Sequence, residues 1–123
     1  MWFHTNVDHK AQALSGAHKY VIDFPRDAVP PVNAFWSITL YDANHHLARN
    51  DIHRYLIGDR SRLRVNPDNS ISLCVQHEWP GESRDSNWLP TPKDAFSLAL
   101  RLYWPKPEAL KGHWQKPLLQ PVF

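Results

Sequence analysis

Four stretches of the chain alternate apolar and polar residues with a period of two, the pattern of a β-strand with one buried face. They are "YVIDF" at 20–24, "FWSITLYD" at 35–42, "ISLCVQH" at 71–77 and "FSLALRLYW" at 96–104. The apolar sides of the four strands predict one shared core. Its members are Tyr20, Ile22, Phe24, Trp36, Ile38, Leu40, Ile71, Leu73, Val75, Phe96, Leu98, Leu100, Leu102 and Trp104.

The segments between these strands are typical of turns. Clusters rich in Pro, Asn, Asp and Ser occupy 25–31, 42–46, 66–70 and 79–92. The run "LARNDIHRYLIG" predicts one or two short strands with a kink, and only "PKPEALKG" indicates a helix. With 11 prolines in 123 residues, the chain is predicted to be a single all-β domain over 1–123. We expect an antiparallel β-sandwich, jelly-roll-like, with one short helix near the C-terminus.

Composition narrows the choice of partners. Lys and Arg number 14 and Asp and Glu number 12, and the basic residues are scattered, which argues against nucleic acid as the partner. The single cysteine, Cys74, excludes an internal disulfide. No apolar run has the length of a membrane helix, and "MWFHTNVDHK" lacks the pattern of a signal peptide. We therefore expect a soluble chain without a membrane partner, in a compartment that the sequence does not identify.

The polar sides of the strands suggest a first candidate site. If three of the strands are neighbours, one sheet surface carries Thr39, Tyr41, Gln76, Arg101 and Tyr103, with the small residues Ser72, Cys74 and Ala99 between them. This surface is either an ordinary solvated face or a shallow recess. In the second case Arg101 is a fixed cation for an anionic or hydroxylated ligand.

The densest polar cluster is "HRYLIGDR", which contains Arg54, Tyr55, Asp59 and Arg60. An Arg–Asp pair in this segment would lock the chain after Gly58, which is a structural role. The same side chains are also suited to present a guanidinium group to a carboxylate or a sugar hydroxyl. Both interpretations stay open at the level of sequence.

The segment "SNWLPTP" predicts a stiff, partly apolar loop. Asn87 is a residue type that bonds to nearby backbone groups, and Pro90 and Pro92 restrict the chain. We interpret the loop as a rigid lid over one end of the sandwich with Trp88 as its plug; the alternative is one wall of a ligand site. The complete set of candidate ligand-binding residues is Arg54, Tyr55, Asp59, Arg60, Gln76, Asn87, Trp88 and Arg101.

The histidines provide an alternative site. His45, His46 and His53 surround one turn, and His77 ends a predicted strand. Three converging imidazoles would bind zinc or copper, although neighbouring residues of a strand point to opposite faces and no H-x-H or H-E-x-x-H pattern is present. For a serine nucleophile, no G-x-S-x-G motif accompanies Ser83 or Ser86. Glycine loops for phosphate are also absent from the sequence, so we expect no cofactor.

Several segments together resemble the bacterial family called domain of unknown function 1214. They are "GAHKYVIDF", "PPVNAFWSITLYDA", "NDIHRYLIGDR", "CVQHEWPGESRDSNWLPTP" and "FSLALRLYWPKPEALKGHWQKP", which span about residues 16–122. The resemblance implies a β-rich, jelly-roll-like domain, often the C-terminal half of two-domain proteins, and implies no activity. It also implies a contact surface that a homo-oligomer would cover here. After "YDA" the family pattern places a glycine, whereas this chain has His45, in a turn that favours positive φ.

The sequence thus predicts an uncharacterised β-sandwich module that is not catalytic, forms a homo-oligomer and binds a small polar or carbohydrate-like ligand. The alternative is a small jelly-roll metalloenzyme with a histidine site for zinc or copper. Whether the chain is an enzyme is not determined by its sequence.

Overall fold

The architecture comes from a computed structural model, which describes residues 1–112, 114 and 116–122. The described chain is all-β with one short helix, as predicted. The strands are β1 (Trp2–Thr5), β2 (Lys19–Phe24), β3 (Val32–Asp42), β4 (Leu56–Gly58), β5 (Ile71–Gln76), β6 (Trp88–Pro90), β7 (Phe96–Pro105) and β8 (Gln120–Val122). A 3-10 helix (Glu82–Asn87) precedes β6, and helix α1 (Pro107–Leu110) follows β7.

The strands form two four-stranded sheets. Sheet I has the order β1-β7-β3-β4, and sheet II has the order β6-β5-β2-β8. All pairings are antiparallel except that of β5 with β6. Buried apolar residues from both sheets make one continuous core, because each sheet turns the apolar side of its alternating strands inward. This is the sandwich that the strand pattern predicts.

The predicted inward residues of β2, β3 and β5 are confirmed, and so are four of the five on β7. Phe24, Leu73 and Val75 are completely buried, and Tyr20, Ile22, Trp36, Ile38 and Leu40 nearly so. The prediction for Trp104 is wrong, since its side chain is 72% exposed. Trp104 has a φ of 55°, and the pairing with β3 shifts register between Val32 and Phe35. An irregularity of this kind breaks the strict alternation of a strand, so Trp104 leaves the core.

Three short strands, β1, β6 and β8, lie outside the predicted set. The interpretation of the Trp88 segment as a loop that forms a lid is wrong at β6. Its residues form a strand that pairs in parallel with β5, and the pairs run from Cys74 with Trp88 to Gln76 with Pro90. Pro90 and Pro121 both lie on edge strands, where a missing backbone N–H is tolerated. The Trp88 segment is therefore the edge of sheet II, and its side chain is buried there.

The turn after β3 has the conformation expected from its residues. His45 has a φ of 63°, so a histidine does occupy the position that favours glycine. The carboxylate of Asp42 accepts hydrogen bonds from the backbone N–H of Asn44, at 2.8 Å, and of His46, at 3.0 Å. These bonds stabilise the tight turn and hold the pKa of Asp42 below its usual value, with the His46 N–H as the largest cause.

The remaining connections also follow the sequence pattern. The "LARNDIHRYLIG" run contains a single short strand, β4, which agrees with one of the two predicted possibilities. Helix α1 begins at Pro107, and Gly112 has a φ of 73° shortly after it ends, as expected for a glycine at a helix C-terminus. None of the described helices is long and apolar enough to cross a membrane.

Candidate functional site

Arg54 connects the segment before β4 to the region of the 3-10 helix. Its Nη1 donates to the backbone oxygens of Asp85, at 2.6 Å, and of Trp88, at 2.9 Å, and its Nη2 lies 3.9 Å from a carboxylate oxygen of Asp85. The guanidinium group that the sequence analysis suggested as a ligand contact is thus engaged in bonds within the domain. Arg54 therefore anchors the segment that leads into β6.

The other members of the "HRYLIGDR" cluster lie apart from Arg54's contacts. Asp59 accepts a hydrogen bond from the backbone N–H of Trp36 at 3.2 Å. The guanidinium carbon of Arg60 lies 4.3 Å from the centre of the Phe35 ring, a cation–π contact. The Tyr55 hydroxyl lies 3.0 Å from Nδ1 of His53. The structure thus distributes this cluster over different contacts.

The side chains of Gln76 and Trp88 each donate a hydrogen bond to the backbone near the end of β5. The indole Nε1 of Trp88 donates to the backbone oxygen of Gln76 at 2.8 Å, and Nε2 of Gln76 donates to the backbone oxygen of Glu78 at 2.8 Å. Both side chains are buried. They fasten edge strand β6 to the end of β5.

The predicted polar surface is divided between the two sheets. Gln76, Ser72 and Cys74 lie on β5 of sheet II, whereas the surface around Arg101 belongs to sheet I. Arg101 Nη2 donates to the Tyr41 hydroxyl at 2.7 Å. Because the cross-strand pairs run Ser37–Arg101, Thr39–Ala99 and Tyr41–Ser97, this bond spans the small Thr39–Ala99 pair, and both are buried. The recess predicted here is covered by Arg101 and Tyr41.

The four histidines proposed as metal ligands are all exposed. His46 and His53 line a wide depression with Asp42, Asp51 and Tyr55, and Nδ1 of His77 is 2.7 Å from the backbone oxygen of Thr91. Within residues 1–112, 114 and 116–122, no three His, Cys, Asp or Glu side chains lie together in a way that would hold a metal ion. The zinc or copper enzyme stays an untested prediction.

Another cavity lies on the outer side of sheet II. Its volume is about 400 Å³, and we call it the arginine pocket. The outward side chains of β2 and β5 form its floor, and the 3-10 helix and the segment 64–67 form its walls. Its lining residues are Val21, Arg64, Val65, Asn66, Pro67, Ser72, Cys74, Ser83, Arg84 and Asn87. A volume of this size is typical of small-molecule sites.

Asn87 holds two walls of the arginine pocket together. Its Nδ2 donates to the backbone oxygens of Arg64 and Ser72, both at 2.9 Å, and its Oδ1 accepts from the backbone N–H of Arg64 at 2.7 Å. Ser86 Oγ also donates to this Oδ1 at 3.0 Å. The amide of Asn87 is buried, and its bonds position the backbone of Arg64.

Positive charge dominates the arginine pocket. Neither Arg64 nor Arg84 pairs with a carboxylate among the described residues, and both are exposed. Outside the lining, the carboxylate of Asp23 accepts a hydrogen bond at 2.6 Å from Oγ of Ser72, which belongs to the pocket floor. The described lining therefore carries two arginines and no carboxylate.

Cys74 lies in the floor of the arginine pocket beneath Arg84. Burial raises the pKa of its thiol above the ordinary value, while the charge of Arg84 and a hydrogen bond from it act in the opposite direction. The thiol is consequently protonated at neutral pH, which is the unreactive form of a cysteine.

The sequence interpretation missed Arg64 and Arg84 as site residues, and it considered Ser83 only as a possible nucleophile. Arg64 lies in "SRLRV" and Arg84 in "GESRDSN", 20 positions apart, in segments that look like ordinary solvated turns. What brings them together is the parallel pairing of β6 with β5. Recognising "WLP" as a strand beside "ISLCVQ" is the signal that would have located the pocket.

Comparison with known proteins supports the fold and provides a family. The crystal structure of the VPA0106 protein from Vibrio parahaemolyticus is similar with a TM-score of 0.87 and 30% identity, over 99% of this chain and 30% of that one. A putative uncharacterized protein from Burkholderia cenocepacia has a TM-score of 0.64 and 19% identity, over 98% of this chain and 29% of that one, and shows the fold alone. This chain thus spans less than a third of either structure. No curated protein matches it. A family model matches residues 1–107, and the chain belongs to that family, described as Protein of unknown function (DUF1214).

Proposed function

We propose that this domain is a binding module that holds a small, polar, anionic ligand in the arginine pocket. The observation that carries the proposal is the presence of Arg64 and Arg84 in one cavity of about 400 Å³. A guanidinium group without a carboxylate partner is a strong donor to carboxylate or phosphate oxygens. The hydroxyl of Ser83 lies in the same lining and suits the hydroxyls of a carbohydrate-like ligand, whereas Ser72 Oγ and Asn66 Nδ2 are engaged in hydrogen bonds within the domain.

The lining of the arginine pocket favours binding over chemistry. Among the described residues, no histidine and no carboxylate belongs to the lining, which leaves Ser83 without a general base there. Cys74 is protonated at neutral pH because burial raises its pKa. These features support the non-catalytic reading of the domain.

A sugar phosphate is a suitable first probe because it joins an anion to several hydroxyls. We expect D-glucose 6-phosphate to bind, as measured by isothermal titration calorimetry, and D-glucose to bind more weakly by about tenfold or more, since a charge-assisted hydrogen bond contributes about 1.5–3 kcal/mol. The double variant Arg64→Gln/Arg84→Gln is expected to lose this preference. Arg26→Gln is a matched control, because Arg26 is exposed, lies near Asp27 and does not line the pocket.

Two results would contradict the proposal. One is equal affinity of the wild type for D-glucose 6-phosphate and D-glucose. The other is a folded double variant that binds the phosphate as tightly as the Arg26→Gln control.

We further propose that the domain forms a homo-oligomer through the outer face of sheet I. Trp2, Leu56 and Tyr103 are outward on this sheet by their register and are 61%, 53% and 40% exposed. Phe35 stacks on Tyr103 with ring centres 4.3 Å apart. Exposed aromatic residues on one face are typical of protein interfaces.

A further inference from the structure

A second cavity lies between the two sheets, away from the arginine pocket. Its volume is about 200 Å³. Sheet I contributes Phe3, Ile38 and Leu100, sheet II contributes Ile22, and the segment 116–119 closes one side. Within the part of the chain that the structure describes, the two cavities share no lining residue, so occupation of one is separable from occupation of the other.

The walls of this inter-sheet cavity favour an apolar occupant. Protein interiors are normally packed to the density of organic crystals, and water is stable in a cavity only where several polar partners surround it. Ile22, Ile38, Leu98 and Leu100 offer none. An apolar cavity of about 150 Å³ accommodates benzene, with six carbons, so one of about 200 Å³ corresponds to about eight carbons by the same scale.

Among the described lining residues of the inter-sheet cavity, Lys116 is the one lysine or arginine, and His4 is the one histidine. Lys116 is exposed and belongs to the lining, and its Nζ lies 5.1 Å from the centre of the Phe3 ring. Asp8 also belongs to the lining, but its Oδ1 accepts the backbone N–H of Lys10 at 2.8 Å and of Gln12 at 3.0 Å. The hydroxyl of Thr5 donates to the backbone oxygen of Val7.

The polar groups near the mouth therefore differ in how far they are already engaged in contacts within the protein. Asp8 and Thr5 are engaged in local turns, whereas Lys116 forms no ion pair among the described residues. Its ammonium group lies over the Phe3 ring, at the boundary between apolar wall and solvent. This arrangement matches an acid whose carboxylate stays at the surface while its apolar body is buried.

We propose that the inter-sheet cavity binds a carboxylic acid with an apolar body of about eight carbons, with the carboxylate at Lys116. The acid inserts its chain between Ile22 of sheet II and Ile38 and Leu100 of sheet I. This site adds a ligand class that the arginine pocket does not serve.

Octanoate is the probe, and octan-1-ol is its neutral counterpart. We expect saturable binding of octanoate by isothermal titration calorimetry and weaker binding of octan-1-ol. Lys116→Gln is expected to weaken octanoate binding about tenfold, whereas Lys111→Gln, an equal change of charge at a residue outside the lining, leaves it unchanged. Leu100→Phe adds volume inside the cavity and is expected to abolish binding. Val7→Phe, at the rim, is the second variant should Leu100→Phe fail to fold by circular dichroism.

Three results would overturn this proposal. They are no saturable binding of octanoate at low millimolar concentration, equal affinity for octan-1-ol, or unchanged octanoate binding in a folded cavity-filling variant. The Arg64→Gln/Arg84→Gln variant is expected to bind octanoate like the wild type, so failure at one site is distinguishable from failure at the other.

Discussion

Replacing Asn87 with Ala tests how the arginine pocket is built. The substitution removes three hydrogen bonds to the backbone, two with Arg64 and one with Ser72. A hydrogen bond of this kind contributes about 1 kcal/mol net, and more when its partner is left buried. Since Arg64 is exposed and water replaces part of what its backbone loses, we expect the free energy of unfolding to fall by about 2–3 kcal/mol.

The assay for the Asn87 variant is urea unfolding followed by circular dichroism, with the slope against urea unchanged and the midpoint lowered. Ser86→Ala is the matched control, because it removes the single bond from Ser86 Oγ to Asn87 Oδ1 and should cost about 1 kcal/mol or less. If Asn87→Ala lowers the free energy of unfolding by no more than Ser86→Ala does, Asn87 does not hold the pocket walls. The prediction that Asn87 contacts a ligand would then be favoured.

Two further predictions concern Cys74 and the outer face of sheet I. Burial raises the pKa of Cys74 above its ordinary value of 9.0, so the folded state holds the thiol proton more tightly than the unfolded state does. We therefore expect the free energy of unfolding to fall as the pH rises past about 9. If the stability of Cys74→Ala has the same pH dependence as that of the wild type, this expectation is refuted. For the sheet face, we expect light scattering to give an oligomer for the wild type and a smaller species for Trp2→Ser/Tyr103→Ser. Trp79→Ser, at a residue that is 56% exposed in another part of the chain, should behave as the wild type, and a monomeric wild type contradicts the oligomer.

The core was predictable because it depends on a repeated local pattern. Tyr20, Ile22 and Phe24 occupy every second position of β2, and the burial of such a set needs only that the strand join a sheet. The prediction for Trp104 was wrong because a positive φ and a register shift interrupt the pattern, and the order of hydrophobic residues reveals neither of them. Strand β6 was not predicted because a run of three residues that includes a proline is too short to show a periodicity.

The site was harder to predict than the core because it depends on which strands are neighbours. Arg101 and Gln76 have the same outward parity on their strands, yet they belong to different sheets. Conversely, Arg64 and Arg84 lie in unrelated turns and meet at one cavity. Strand order is a long-range property, and periodicity within a strand contains no information about it.

The most direct test of the arginine pocket is a two-dimensional NMR titration of the isotopically labelled domain with D-glucose 6-phosphate. The binding module that we propose predicts the largest chemical-shift changes at the backbone amides of Arg64, Ser83 and Arg84, with Ser72 in the pocket floor also affected. Changes centred instead on Trp2 and Arg101, or no saturable change anywhere, would contradict the central claim.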